Sequence, residues 1–411
     1  MKILFILFTK RYQGTFYRAF PWAEYLVSRG HDVTLLCTSS QKLFSSTVST
    51  ERGVRIIESP SLLFNERYVM TRLAGMSGWD PLDILTRYQE IRNGQYDIVH
   101  SFEHHMHVSL PIFLAGRKRI PALVSDWCDH YGQGGLGGAE YSPYRLRHLY
   151  YPIGFPLRKW TEHIEGALRR KADSVTVISS YLKQRALSKG VALEKIHRIT
   201  GSAETERIQP SLPGPARRKL GLNEHLQYVL FFGAGQFDVE FSLEAFAQVT
   251  RTMPDTHFIV VGRKDDLIRR KADKLGVGDR LIQTGWVADD QLSGWLASTD
   301  ICLLPMKDHA VNHARWPNKI GFYMAAGRPT VATEIGDVSR LISSRRIGLV
   351  SPVGPREFAD RILQLLTHRE LAEEMGARAR YVAEREFQIT IQGAELENLY
   401  TTLAGRSSPP E

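Results

Sequence analysis

The sequence predicts an α/β protein made of two Rossmann-like domains. Three observations carry that expectation. Short apolar runs without polar alternation recur between helical stretches, as parallel strands covered on both faces require. The series halts at Gln209-Pro210-Ser211-Leu212-Pro213-Gly214-Pro215, where three prolines and a glycine break any regular element, and then begins again. The chain has 411 residues and is 43% hydrophobic, enough for two cores.

The elements follow in order. Lys2 is followed by Ile3-Leu4-Phe5-Ile6-Leu7-Phe8, a run too short for a signal-peptide core and best read as a buried first strand. Further strands are expected at 33–37, 98–102, 122–124 and 174–178, with helices at 17–29, closed by Gly30, and at 157–171. After the break, strands are expected at 228–232, 258–261, 281–284, 301–304 and 330–332, and a helix at 242–253. A last helix at 384–403 precedes a polar, proline-bearing tail. The expected division is a first domain at 1–208, a second at 209–385, and a terminal segment at 386–411.

Composition narrows the function. The net charge of +9 favours anionic partners. Nucleic acid is not expected, because the basic residues form no recognition motif. Cys37, Cys128 and Cys302 are far apart and fit no zinc spacing, so a reducing, cytoplasmic setting is expected. No apolar run approaches the ~18 residues that span a bilayer, so any membrane contact is peripheral, at the inner face.

The stretch from Arg315 to Val331 says most. Pro317 suits a first helical turn, Gly327 suits the position just past the end, and Pro329 blocks continuation. Arg315 and Lys319, four apart, share a face where the helix dipole is already positive. Two cations there are unfavourable until an anion arrives, and phosphate is the expected one.

In the first domain, His100-Ser101-Phe102-Glu103-His104-His105-Met106-His107 begins at a strand's carboxyl end, where open α/β sheets bind ligands. A structural role, a solvated surface and, more weakly, a metal site are the readings that the residues themselves give His104 and His105; no further ligands complete a metal site. The next strand runs into Ser125-Asp126-Trp127-Cys128-Asp129-His130-Tyr131, whose carboxylates and aromatics suit a carbohydrate. Asp126 or Asp129 is a candidate general base or acceptor-orienting group, against a turn rich in Asp and Gly for backbone reasons. Residues 141–160 interleave Tyr141, Tyr144, Tyr150, Tyr151, Phe155 and Trp160 with Arg145, Arg147, Arg158 and Lys159, which suits ordinary helix packing or an anionic membrane interface.

Taken in order, these pieces resemble the retaining GT-B glycosyltransferases of the large group marked by two glutamates with seven residues between them. The loop with Gly14, Gly30-His31-Asp32-Val33-Thr34, 169–179, Ile259-Val260-Val261-Gly262, Gly285-Trp286-Val287, Ala297-Ser298-Thr299-Asp300 and 317–329 carry the resemblance across nearly the whole chain. It implies two Rossmann-like domains facing a central cleft, a last helix that crosses back to the first domain, and transfer of a sugar from a nucleoside diphosphate sugar to a hydroxyl acceptor. A lipid-linked acceptor is among the candidates. The donor residues so implied are Gly14, Gly233, Gly235, Arg263, Arg315, Asn318 and Lys319; the catalytic candidates are His104, His105, Asp126 and Asp129, and the resemblance implies that His104 or His105 touches the transferred sugar. No cofactor and no metal are expected. The two motif glutamates are replaced by Ala314 and Phe322, and the glycine loop lacks the usual Arg and Lys, which leaves Arg315, Lys319 and Arg263 to meet the pyrophosphate. A non-catalytic sugar-nucleotide-binding or scaffolding protein and a GT-B epimerase are the alternatives.

Overall fold

A computed structural model describes residues 1–39, 41, 44–62, 78–131, 135–136, 160, 162–233 and 236–407. Segment 141–159, which holds most of the basic-aromatic stretch, and Gly235 lie outside the described residues. The chain divides into two compact units, Met1–Thr200 with Ile389–Glu411, and Gly201–Gln388.

The first unit is built on strands β1 (Lys2–Lys10), β2 (Asp32–Thr38), β3 (Thr47–Glu51), β4 (Val54–Ser59), β5 (Ile98–Phe102), β6 (Ala122–Trp127), β7 (Ser174–Val177) and β8 (Ile196–Arg198). Their order is β3-β4-β2-β1-β5-β6-β7-β8, parallel throughout except for the β3–β4 pair. Ile3, Phe5 and Leu7 of β1 pack into a core with Phe16, Trp22 and Leu26 of helix α1 (Phe16–Ser28). Burying one such side chain contributes roughly 1.5–3 kcal/mol, which is why an unbroken apolar run becomes a central strand. The antiparallel β3–β4 hairpin was not expected. Thr-Val-Ser-Thr-Glu of β3 is half exposed at the sheet edge and carries no apolar run to mark it.

The helix Ile389–Ser407 belongs to the first unit and lies on α1. Gly393 permits that approach: a side chain there would begin 2.3 Å from the Tyr25 ring. The expected single helix 384–403 is in fact two, since one helix ends at Glu386 and the next begins at Ile389. Tyr400 reaches into the first unit, where its hydroxyl lies 2.5 Å from His100 Nδ1. Both residues are fully buried. Tyr400→Phe should cost about 1–3 kcal/mol, because His100 would lose a buried partner; a thermal melt showing no loss would contradict this.

The second unit holds a parallel sheet in the order β11-β10-β9-β12-β13-β14. Its strands are β9 (Gln227–Phe232), β10 (Thr256–Val261), β11 (Leu281–Gly285), β12 (Ile301–Leu304), β13 (Thr330–Thr333) and β14 (Gly348–Ser351). The division falls at Thr200, eight residues before the expected boundary at 208, because the intervening chain packs in the second unit. Arg380 there donates to the carbonyls of Thr205 and Ile208 at 3.0 and 2.6 Å.

Candidate functional site

In the second unit, β9 leads into Gly233 and then into helix α2 (Gln236–Thr252). Gly233 has φ +136°, open to glycine only, and its amide donates to the Val261 carbonyl at 2.9 Å. A side chain there would begin 3.2 Å from Lys319 Nζ. The bare backbone therefore makes room for the ammonium group.

Lys319 opens helix α3 (Lys319–Ala325), with Asn318 as its exposed N-cap. Pro317 thus lies before the helix and not in its first turn, and Arg315 is not on this helix. Arg315 ends the short helix Ala310–Ala314 in an extended conformation. Both cations nonetheless come to one place, because α3 is pinned from beneath. Tyr323, fully buried, takes the Phe232 amide at 3.0 Å and donates to the Leu303 carbonyl at 3.2 Å. Gly321 lets the helix approach 202–203 closely; a side chain there would begin 2.2 Å from the Ser202 carbonyl oxygen.

The Lys319 residue is partly open, but its ammonium is enclosed, 3.9 Å from the Phe231 ring centre. Burial lowers its pKa to about 8, although Asp238 acts the other way. Asp238, in the first turn of α2, lies 3.8 Å from Arg315 Nη2. Burial raises the Asp238 carboxyl above its ordinary range, against the pull of Lys319 and Arg315. Two cations therefore face one carboxylate beside an open glycine. Asp238 escaped the sequence reading, which searched the glycine loop for cations. Phe322, partly buried, meets Phe232 edge-on with ring centres 5.5 Å apart. Arg263 is exposed just past β10, the neighbouring strand, and has no described link to this group.

In the first unit, the carboxyl ends of β1, β5 and β6 gather the other candidates. His105 caps helix Met106–Ala115 and is buried; its ring stacks on Phe8 with centres 3.9 Å apart and planes 8° apart. Tyr131 stands edge-on to His104 and His105, at 5.6 and 4.9 Å. Burial holds both histidines neutral, their pKa values well below 6.5. His105 Nδ1 has no hydrogen-bond partner among the described residues. His107 is tied instead to the backbone, with Nε2 3.3 Å from the Phe8 carbonyl oxygen. Gly14 follows β1 at φ +50°, against Thr9.

Asp126 departs from the sequence reading as a general base. It is wholly buried, and Arg18 holds it by two bonds, Nε to Oδ2 at 3.0 Å and Nη2 to Oδ1 at 2.9 Å. Thr176 adds a third at 2.6 Å. A carboxylate so engaged is an interior ion-pair partner, shielded from a substrate hydroxyl. Asp129 is half buried and keeps the candidacy; its carboxylate lies within 4.8 Å of groups on Glu103 and Cys128. Arg18 and Arg169 were missed, since each meets its partner across the fold: Arg18 and Asp126 are 108 residues apart.

Comparison with known proteins fits this architecture. Residues 14–207 match the glycosyltransferase family 4 model, and residues 227–368 match the model described as glycosyl transferases group 1. The alpha-D-kanosaminyltransferase of Streptomyces kanamyceticus is 25% identical over 321 residues, covering 69% of this chain and 78% of that protein. A GDP-mannose-dependent alpha-(1-6)-phosphatidylinositol monomannoside mannosyltransferase of Mycobacterium tuberculosis is 28% identical over 221 residues, 51% of this chain and 56% of that one. Among solved structures, sucrose-phosphate synthase from Thermosynechococcus elongatus superposes with a TM-score of 0.76 at 16% identity, over 99% of this chain and 100% of that one. Anabaena HepE in complex with UDP-glucose superposes at 0.70, also at 16% identity, over 98% and 100%. No helix among the described residues is long and apolar enough to cross a membrane.

Proposed function

Because the chain belongs to the group 1 glycosyltransferases of GT-B fold, we propose that it moves a sugar from a nucleoside diphosphate sugar to a hydroxyl acceptor with retention. The observation that carries this reading is the meeting of Lys319 and Arg315 at Gly233, with Asp238 as counter-charge. That group carries the surplus positive charge that a diphosphate would neutralise. As the sugar–phosphate bond breaks, negative charge grows on the leaving phosphate; preset cations stabilise it most at that moment and need no metal.

In this reading the neutral His105, held flat against Phe8, touches the transferred sugar. Asp129 orients the acceptor, Arg263 and Asn318 assist the donor, and Gly14 keeps the backbone close to it. The acceptor class includes lipid-linked alcohols, a reading supported by the relative that is a phosphatidylinositol monomannoside mannosyltransferase. A peripheral membrane contact through 141–160 belongs to the same proposal.

Calorimetric titration of UDP-, GDP- and dTDP-sugars, followed by a hydrolysis assay on the best binder, tests it. Binding with slow hydrolysis is the expected result. Binding with neither hydrolysis nor transfer across a broad acceptor panel would favour a scaffolding protein. No binding of any donor would overturn the reading. His105→Ala should then lower turnover at least tenfold and leave nucleotide affinity near wild type, since His105 lies in the first unit and the cation group in the second. Equal losses in both quantities would remove His105 from the chemistry. Proton NMR of the product's anomeric signal decides retention.

A further inference from the structure

Glu103 ends β5 in a backbone conformation that costs free energy. Its φ is +72°, in the left-handed region that non-glycine residues seldom occupy. Such positions persist where their surroundings over-determine them, and they collect at functional sites. The side chain is wholly buried. Its two oxygens are treated unequally. Oε1 accepts from the Cys128 amide at 3.2 Å and from the Cys128 thiol at 2.8 Å. Oε2 has no hydrogen-bond partner among the described residues, although Arg169 Nη2 lies 3.7 Å away and His104 Nδ1 3.8 Å away. His104 Nδ1 is buried and equally without a partner among the described residues.

Two orphaned buried atoms thus face each other, and one proton between them satisfies both. We propose that Glu103 carries a proton on Oε2 and donates it in a hydrogen bond to His104 Nδ1, which fixes the His104 ring with its own proton on Nε2. Closing the gap needs a shift of about 1 Å to reach ordinary hydrogen-bond length, within the reach of a side-chain rotation. Glu103 is therefore a positioning residue that acts through His104.

The surrounding charges agree with this assignment. Around Glu103 stand Arg169, Asp129, Asp126 and Cys128. Burial raises its pKa to about 8; Arg169 opposes the rise, and the two aspartates add to it. Around His104 stand Arg169, His105, Arg185 and Lys189, all of which join burial in keeping the imidazole neutral. A neutral acid beside a neutral imidazole places no new charge in the interior, where an isolated charge is costly. Above pH 8 the Glu103 proton passes to solvent. The carboxylate then accepts, and His104 must carry its proton on Nδ1. The hydrogen-bonding sense of Nε2 reverses, from donor to acceptor. Only the use of that reversal in sugar binding rests on the function proposed above; the proton's position does not.

The test uses the whole protein labelled with ring-15N histidine, with His104→Gln to identify the signal. Well below pH 8, His104 should show a bare Nδ1 and a protonated Nε2; well above it, the reverse. The infrared band of a buried protonated carboxylic acid should vanish over the same interval. In Glu103→Gln the amide N–H donates to Nδ1 at every pH, so the ring should stay in one form. A protonated Nδ1 well below pH 8 overturns the proposal. So does a ring that never changes in wild type, or one that still changes in Glu103→Gln. If that variant does not fold, the wild-type ring signals and the infrared band decide. None of these readouts depends on turnover, so they stand apart from the success or failure of the donor experiments.

Discussion

Lys319→Ala is expected to weaken nucleoside diphosphate binding by about 1.5–3 kcal/mol, roughly a 10- to 150-fold rise in Kd. The ammonium lies 3.9 Å from the Phe231 ring centre and burial already lowers its pKa, so much of its desolvation precedes any ligand. An incoming phosphate gains the charge-assisted bond without that cost. Arg315 is more open, with 34% of its side-chain surface exposed, and its substitution should have the smaller effect. Calorimetry with the best-binding nucleotide compares the two. Unchanged affinity in Lys319→Ala would end the phosphate assignment.

The same lysine sets a pH dependence. Its pKa in the free protein is about 8, against an ordinary value near 10.5. A bound diphosphate favours the charged form, so affinity should fall as pH rises through 8, with proton uptake on binding above that point. Stability runs the other way. Between about 8 and 10.5 the unfolded chain holds the lysine proton more firmly than the folded one, so this group makes stability rise with pH in that window. Lys319→Met should flatten both trends. A Kd that stays constant from below to above pH 8 would contradict the placement of the ammonium.

The strands were legible because their cause is local. Ile3 to Phe8, Tyr228 to Phe232 and Phe258 to Val261 are apolar runs too short for helices, and each is a central strand in the structure. The β3–β4 hairpin was not legible, since an exposed edge strand buries too little to leave a pattern. The approach of Arg315 and Lys319 was readable from four residues of spacing, but for the wrong reason. They meet across two elements, of which Tyr323 and Gly321 lock α3 in place, not along one helix face. Asp238 and Arg18 went unseen as site residues, and Glu103 was noticed beside the histidines without a role, because their meaning is relational. A carboxylate reads as surface polarity until the fold shows what stands opposite.

Asp126 shows how far that limit reaches, and substituting it should produce the largest stability loss proposed for this chain. Asp126→Ala is expected to destabilise the first unit by about 3–5 kcal/mol, the usual consequence of leaving one member of a buried ion pair uncompensated. Arg18 is 6% exposed at its side chain and would keep its charge in the interior. It also donates to the carbonyls of Ile199 and Thr200 at 2.7 and 3.0 Å, so the pair ties α1 to the last residues before the second unit begins. Asp126→Asn retains the volume and the Thr176 contact but not the charge, and should fall between wild type and Asp126→Ala. The sequence reading made Asp126 or Asp129 a candidate general base or acceptor-orienting group, and in either role the loss of Asp126 would lower turnover and spare stability. Urea midpoints separate the two roles. A paired replacement, Arg18→Met with Asp126→Leu, removes both charges and should recover most of the lost stability, because no unpaired ion remains. If Asp126→Asn melts like wild type yet turns over at least a hundredfold more slowly, Asp126 is acting on substrate, and the ion pair is only its support.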